Sequence, residues 1–328
     1  MKKSNYDKFP AIKVNGHTGI AGWKNIIDCL QSDTDKSGRE KTVLVIESYH
    51  GVYLNEVTAH FGKECPDAIL IDASAALKSV KDVDQMVYPF VTDDPVFGYM
   101  APLGLIDFFD VGKIAALQKK ANQVQKGLVV VYGTGASLIT PAPHLLVYAD
   151  MPRWEIQLRF RKNTISNLGA YNTQAEFSYQ YKRGFFVDWR VCDRHKKSLL
   201  QTFDYLLDTT IPEHPKMISG ATFRSALSEV VSRPFRVVPF FDPGPWGGQW
   251  LKEFVILTGA SPILPGVLIV CRKKTVCFWS LGKWCLKRPQ SILFLRNPKS
   301  CWAGRFTSRS VMNFQSGLIS WIQWKEAI

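Results

Sequence analysis

The sequence predicts an α/β fold, with a mostly parallel sheet flanked by helices. Two observations carry this. Apolar, β-branched runs recur in KTVLVIESYHGV, DAILIDAS, GLVVVYGTGASLI and HLLVYAD, the pattern of strands buried on both faces. Between and after them lie amphipathic stretches such as LNEVTAHF and RWEIQLRFRKN. Composition agrees: 328 residues, 46% apolar and 21% charged, make a globular chain long enough for about two domains.

Residues 1–30 read as a short strand and a helix, with Trp23, Ile26, Ile27 and Leu30 at helical spacing for core packing. SDTDKSGREK is a polar loop. The run ending at Glu47 then turns at Gly51 into a helix, the opening of an α/β unit. DAILIDAS (67–74) is the second strand, GLVVVYGTGASLI (127–139) the third, and 144–163 a fourth strand running into a helix. Ligands of such sheets lie at the carboxyl ends of the strands. No internal repeat is present. The expected organisation is an extension (1–40), an α/β module (41–215), the start of a second module (216–253) and an irregular, poorly ordered tail (254–328).

The tail is set apart by charge. Residues 255–328 hold 11 Lys/Arg and one acid, Glu326, so they carry +10 of the net +13. They also hold four of the seven Cys and five of the ten Trp, and none of the six His. A basic aromatic tail fits nucleic acid. Yet its apolar residues keep neither helical nor strand period, and Cys/Trp enrichment with acid depletion is what out-of-frame codons give. With allowed codons read one nucleotide earlier, residues 271–287 become VPEENSLLLEFGEMVFE, an acidic and normally patterned segment. The expectation is a frame change near Glu253 or Phe254, and hence no specific nucleic-acid partner. The apolar runs are too short and broken for a spanning helix, and MKKSNYDKFP has no apolar core. With an odd cysteine number and no CxxC, a reduced cytoplasmic protein without membrane attachment is expected.

The loop after the first long strand, ESYHGVYLNE, has one Gly and no Lys, and Glu47 would repel phosphate. A phosphate-cradling GxxxxGK[ST] is therefore missing. YGTGAS at 132–137 is either a dinucleotide loop or a tight strand–loop connection. Asp93 and Asp94, before Pro95, fit a Mg²⁺ ligand pair, an acid/base pair, or a turn held by its own side chains. Arg153, Arg159 and Arg161, with Lys162, form either a basic lid over phosphates or a solvated face. Around 185–200, Arg190, Arg194 and Lys196 stand among Asp188, Asp193, His195 and Lys197, as ion pairs or as an anion site. His50, His60 and His195 lack a second ligand at metal spacing, so no metal site is assigned. Cys29, Cys65 and Cys192 read as buried thiols.

RPFRVVPFFDPGPWGGQWLKE (233–253) resembles the opening of the catalytic module of class I mannose-6-phosphate isomerases, in Pro239, Phe240, Phe241 and the run Trp246, Gly247, Gly248. The glycines let the backbone turn sharply and Trp246 anchors the loop. TDDPVFGYM, YADMPRWEIQLRFRKNTISNLG and FFVDWRVCDRHKKSLL resemble the N-terminal module of larger two-module isomerase-like proteins of bacteria, so the likeness covers residues 5–253. That module is in turn similar to uridine-kinase-like P-loop proteins, which implies a degenerate P-loop NTPase-like sheet followed by a truncated cupin start.

The resemblance implies carbohydrate metabolism: aldose–ketose isomerisation of a sugar phosphate, an intramolecular oxidoreduction, on a zinc ion held by Gln, His and Glu in a cupin barrel. Those ligands would follow the Trp-Gly-Gly strand, and no His follows His214. The expectation is a truncated, inactive family member with no cofactor in this chain, zinc belonging to the intact family. The alternative is a nucleotide or sugar-phosphate kinase-like phosphate-binding module, with a sugar phosphate or a nucleotide as partner.

Overall fold

The computed structural model describes Val14, residues 16–232 and the strand backbones at 235–236, 268–271, 275–280 and 284–289. The chain divides into two compact units at Arg224/Ser225.

The larger unit is α/β, with a seven-stranded mixed sheet in the order β1-β7-β6-β5-β2-β4-β3. The strands are β1 (Ile20–Ala21), β2 (Lys41–Ser48), β3 (Ile69–Asp72), β4 (Gly127–Gly133), β5 (Leu145–Asp150), β6 (Tyr205–Asp208) and β7 (Lys216–Ser219). From β3 to β6 every pairing is parallel; β7 runs antiparallel to both β6 and β1. β2 is central. Its Val43, Leu44, Val45 and Ile46 are all buried, each contributing about 1.5–3 kcal/mol of hydrophobic stabilisation. This is why the strand reads as an unbroken apolar run rather than an alternating one.

The helices are α1 (Trp23–Lys36), α2 (Leu54–Glu64), α3 (Val80–Val91), α4 (Val111–Gln123), α5 (Ala136–Ile139), α6 (Arg153–Arg161), α7 (Phe177–Arg183), α8 (Trp189–Leu199) and α9 (Gly220–Ser232). α1 buries the expected face, Trp23, Ile26, Ile27 and Leu30. α3 and α4 start on side-chain caps: Ser79 accepts from Asp82 N and Asp110 from Lys113 N. A π-helical turn, Gly184–Asp188, joins α7 to α8 without interruption.

Two connections open the sheet. The chain leaves β2 towards β3 and leaves β5 towards β6, so the loops diverge from adjacent parallel strands. Such a switch point makes a crevice at the carboxyl ends. The expected boundaries at 41 and 215 do not bound the sheet. β1 and α1 precede residue 41 and β7 follows residue 215, yet both strands are bonded into this one sheet. Strands of two and four residues carry too little apolar pattern to show which sheet they join.

The second unit contains a four-stranded antiparallel sheet in the order β11-β10-β9-β8, from β8 (Phe235–Arg236), β9 (Leu268–Cys271), β10 (Thr275–Ser280) and β11 (Trp284–Pro289). β9 to β11 form a regular meander inside the stretch expected to be irregular. Short, β-branched and aromatic segments three residues apart need only local pairing for this, whatever their longer-range pattern. Trp246, Gly247 and Gly248 lie outside the described residues.

Candidate functional site

The carboxyl edge of β2, β4 and β5 gathers the charged residues. Glu47, the penultimate residue of β2, is fully buried. Its carboxylate is held from three directions. Gly135 N donates to Oε1 and Ser137 N to Oε2, both at 2.7 Å, and His195 Nε2 lies 3.4 Å from Oε2. The two amides belong to the YGTGAS turn, where Gly133 (φ 110°) and Gly135 (φ 90°) adopt left-handed backbone. A Cβ on Gly135 would meet the Phe109 ring at 2.3 Å, so only glycine fits. Of the two readings of YGTGAS, this geometry is that of a tight connection, closed on a carboxylate of the chain itself.

Ser137 Oγ lies 2.9 Å from His195 Nε2, a nucleophile–base distance. The acid that should orient the far ring nitrogen instead faces the same Nε2, and it occupies the amides an oxyanion would need. The arrangement therefore closes hydrogen-bond donors on a buried carboxylate and is not an acyl-transfer triad.

Beside it a second cluster joins the ends of β2 and β5 to α8. Tyr49 donates to Asp193 Oδ1 at 2.9 Å, Arg153 pairs with Asp193 Oδ2, and Lys196 pairs with Asp150. Burial, and then the Asp193 charge, push the Tyr49 phenol well above its ordinary range. Arg194 donates to the carbonyls of Ala101 (2.6 Å) and Leu103 (3.1 Å). Arg190 lies 5.3 Å over the Phe185 ring, and its buried Nε has no partner. Burial, and then the charge of Arg153, lower its basicity. Among the described residues neither Arg190 nor Arg194 has a carboxylate in ion-pair reach.

Four of the six basic residues picked from the sequence, Arg153, Arg190, Arg194 and Lys196, thus meet at one edge. The other two do not join them. Arg159 is fully buried, bonded to the carbonyls of Gly51, Thr209 and Thr210 and to Glu155, and lies 3.8 Å over the Tyr53 ring. Its donors hold loops together. Arg161 lies 4.1 Å over Phe177. Asp94 Oδ1 accepts from Val96 N and Phe97 N, which hold its carboxyl below the usual range, and Asp93 accepts from Tyr88. That is the turn among the three readings of Asp93–Asp94.

Ser137, Tyr49 and Asp150 were not singled out from the sequence. The available signal was position: each lies at or just past the carboxyl end of a strand. His50 bonds Ser166 O, and His60 stacks on Trp23 and pairs with Glu213. Cys65 and Cys192 are buried and Cys29 is half-buried beside the Tyr205 hydroxyl. Among the described residues no group of three or more His, Cys, Asp or Glu that could hold a metal is found; the zinc ligands that the resemblance implies would follow Trp246, which lies outside them. No helix among them is long and apolar enough to cross a membrane.

No curated protein matches the sequence. A family profile does, over residues 22–232, from the start of α1 to the end of α9, and the chain belongs to that family, described as a domain of unknown function (DUF8485).

Proposed function

We propose that the larger unit is a degenerate P-loop-kinase-like module that binds a phosphate-bearing small molecule at the carboxyl edge of β2 and β5 without transferring its phosphoryl group. The observation that carries this reading is that Arg153, Arg190, Arg194 and Lys196 stand at one edge where, among the described residues, Asp193 and Asp150 pair with Arg153 and Lys196 and no carboxylate is in ion-pair reach of Arg190 or Arg194. Arg153 and Arg190 are half-buried, Lys196 is buried and Arg194 is exposed, and such positive charge beside parallel-strand ends stabilises an anion. The absence of transfer is supported by two further facts. The β2–α2 connection, YHGVY, offers no lysine, and the nearby backbone amides are closed by Glu47.

By lineage we place the chain with the class I mannose-6-phosphate isomerases, on the likeness of residues 5–253, and we expect it to lack their reaction. A metal barrel after Trp246 would need His ligands, and no His follows His214. Two measurements test the whole reading. Full-length protein should be stabilised thermally by millimolar mannose 6-phosphate or nucleotide, and should convert neither mannose 6-phosphate to fructose 6-phosphate with added Zn²⁺ nor ATP to ADP. No stabilisation by any phosphate compound removes the binding reading. Zinc-dependent isomerisation or nucleotide-dependent phosphoryl transfer removes the inactive one.

A further inference from the structure

We infer that the carboxyl-edge cluster is built for the dianion of a phosphate monoester, seated on Arg190 and Arg194, and that Arg190 is its principal binding residue. This deepens the phosphate-binding reading above and rests on it.

Lys196 is paired with Asp150, and Arg153 with Asp193, which also takes the Tyr49 hydroxyl. Glu47 accepts from the two amides, with His195 Nε2 3.4 Å away. Two guanidiniums remain without a carboxylate. Arg194 is fixed through Nε and Nη2 to the Ala101 and Leu103 carbonyls, which leaves Nη1 uncommitted while the group is held in place. Arg190 is held by the Phe185 ring and makes no hydrogen bond among the described residues, although its Nε is out of contact with solvent. A buried, unpaired donor on a cation is costly unless something accepts from it. Arg190 and Arg194 are one helical turn apart on α8, so both reach the same side. Asp193 attracts both guanidiniums and Asp107 attracts Arg194, each from beyond ion-pair distance; two fork-shaped cations on one helix face still match a group with two negative charges and three terminal oxygens. A phosphodiester brings one charge. A nucleoside triphosphate brings a metal and a long chain, for which the β2–α2 loop offers no cradle.

The test is isothermal titration of the full-length chain with mannose 6-phosphate, inorganic phosphate, dimethyl phosphate and ATP·Mg²⁺, on the parent, Arg190→Gln, Arg194→Gln and Arg161→Gln. Mannose 6-phosphate is expected to bind the parent and Arg161→Gln alike. Arg190→Gln should lose about 10- to 100-fold in affinity, the size of a charge-assisted hydrogen bond. Arg190 makes no internal hydrogen bond, so its replacement should leave the melting temperature of the free protein near that of the parent, which separates lost contact from lost fold. Dimethyl phosphate or ATP·Mg²⁺ binding as tightly as the monoester would overturn the monoester class and leave the phosphate reading standing. Unchanged monoester binding in Arg190→Gln and Arg194→Gln would overturn the seat. Failure of all four compounds, inorganic phosphate included, would remove both.

Discussion

Replacing Glu47 probes the edge at its most buried point. In Glu47→Gln the side chain keeps its size, but one acceptor oxygen becomes an NH₂ group. Of the two backbone donors at 2.7 Å, Gly135 N and Ser137 N, one then faces another donor, and the other bonds a neutral oxygen. A hydrogen bond to a charged group contributes about 1.5–3 kcal/mol, and a neutral one roughly half of that, so the Gln variant should lose about 2–4 kcal/mol. Glu47→Ala, which removes both acceptors and leaves a cavity beside His195, should lose more, about 3–6 kcal/mol. For a unit of this size each kcal/mol moves the midpoint by about 2–4 °C, so the Gln variant should melt on the order of 10 °C below the parent. The assay is thermal unfolding followed by circular dichroism at neutral pH, with urea titration for the free energies. If Glu47→Gln melted with the parent, the carboxylate would not be holding the YGTGAS turn, and the claim that it closes those amides to an outside anion would go with it.

Three further outcomes can be measured on the same instruments. Gly135→Ala forces a Cβ into the Phe109 ring at φ 90° and should cost about 2–5 kcal/mol; a neutral substitution would mean a different turn. Arg159→Leu strands Glu155 and three loop carbonyls, so the urea midpoint should report a loss of about 3–5 kcal/mol, and a variant as stable as the parent would return Arg159 to the list of ligand contacts. Alkaline pH should also destabilise the fold. Burial first, with nearby acids after it, raises the phenols of Tyr49 and Tyr148, and burial with the Asp33 hydrogen bond raises that of Tyr205. A raised folded value leaves stability intact below the unfolded tyrosine value of about 10 and removes it as pH climbs beyond that. The melting temperature should therefore fall above about pH 10, less steeply in Tyr148→Phe, and a flat profile to pH 11 would contradict the burial described.

The central strands were legible because each is buried on both faces and so reads as a run. β2, β4 and β5 fall inside the segments expected for them, as does α6, whereas α1 runs on to Lys36, through the first half of the stretch expected to be a polar loop. A short strand before α1 was legible, but its place in the sheet was not, nor was β7, because the two pair with each other across almost two hundred residues. The site was half legible. Residue type and chain position singled out the arginines, but not which were free. Arg159 and Arg190 look alike in sequence; one is committed to carbonyls 108 and 50 residues away, the other to none. That distinction resides in tertiary contacts. Glu47 was legible as a group hostile to phosphate, but not as the acceptor for a turn 88 residues downstream.

The wide turn at Gly184–Asp188 gives the long helix 177–199 one residue more than a regular spiral would use. The surplus frees the Phe186 carbonyl, which takes the Ala101 amide at 2.9 Å, and the same loop offers Ala101 O and Leu103 O to Arg194. Deleting a single residue there would let the spiral close up, withdraw that carbonyl into the helix, and unfasten the loop, while every strand of the sheet kept its register. A relative shorter by one residue at this point would thus keep the scaffold and lose the grip on Arg194, making the length of this segment a marker for which relatives retain the basic edge.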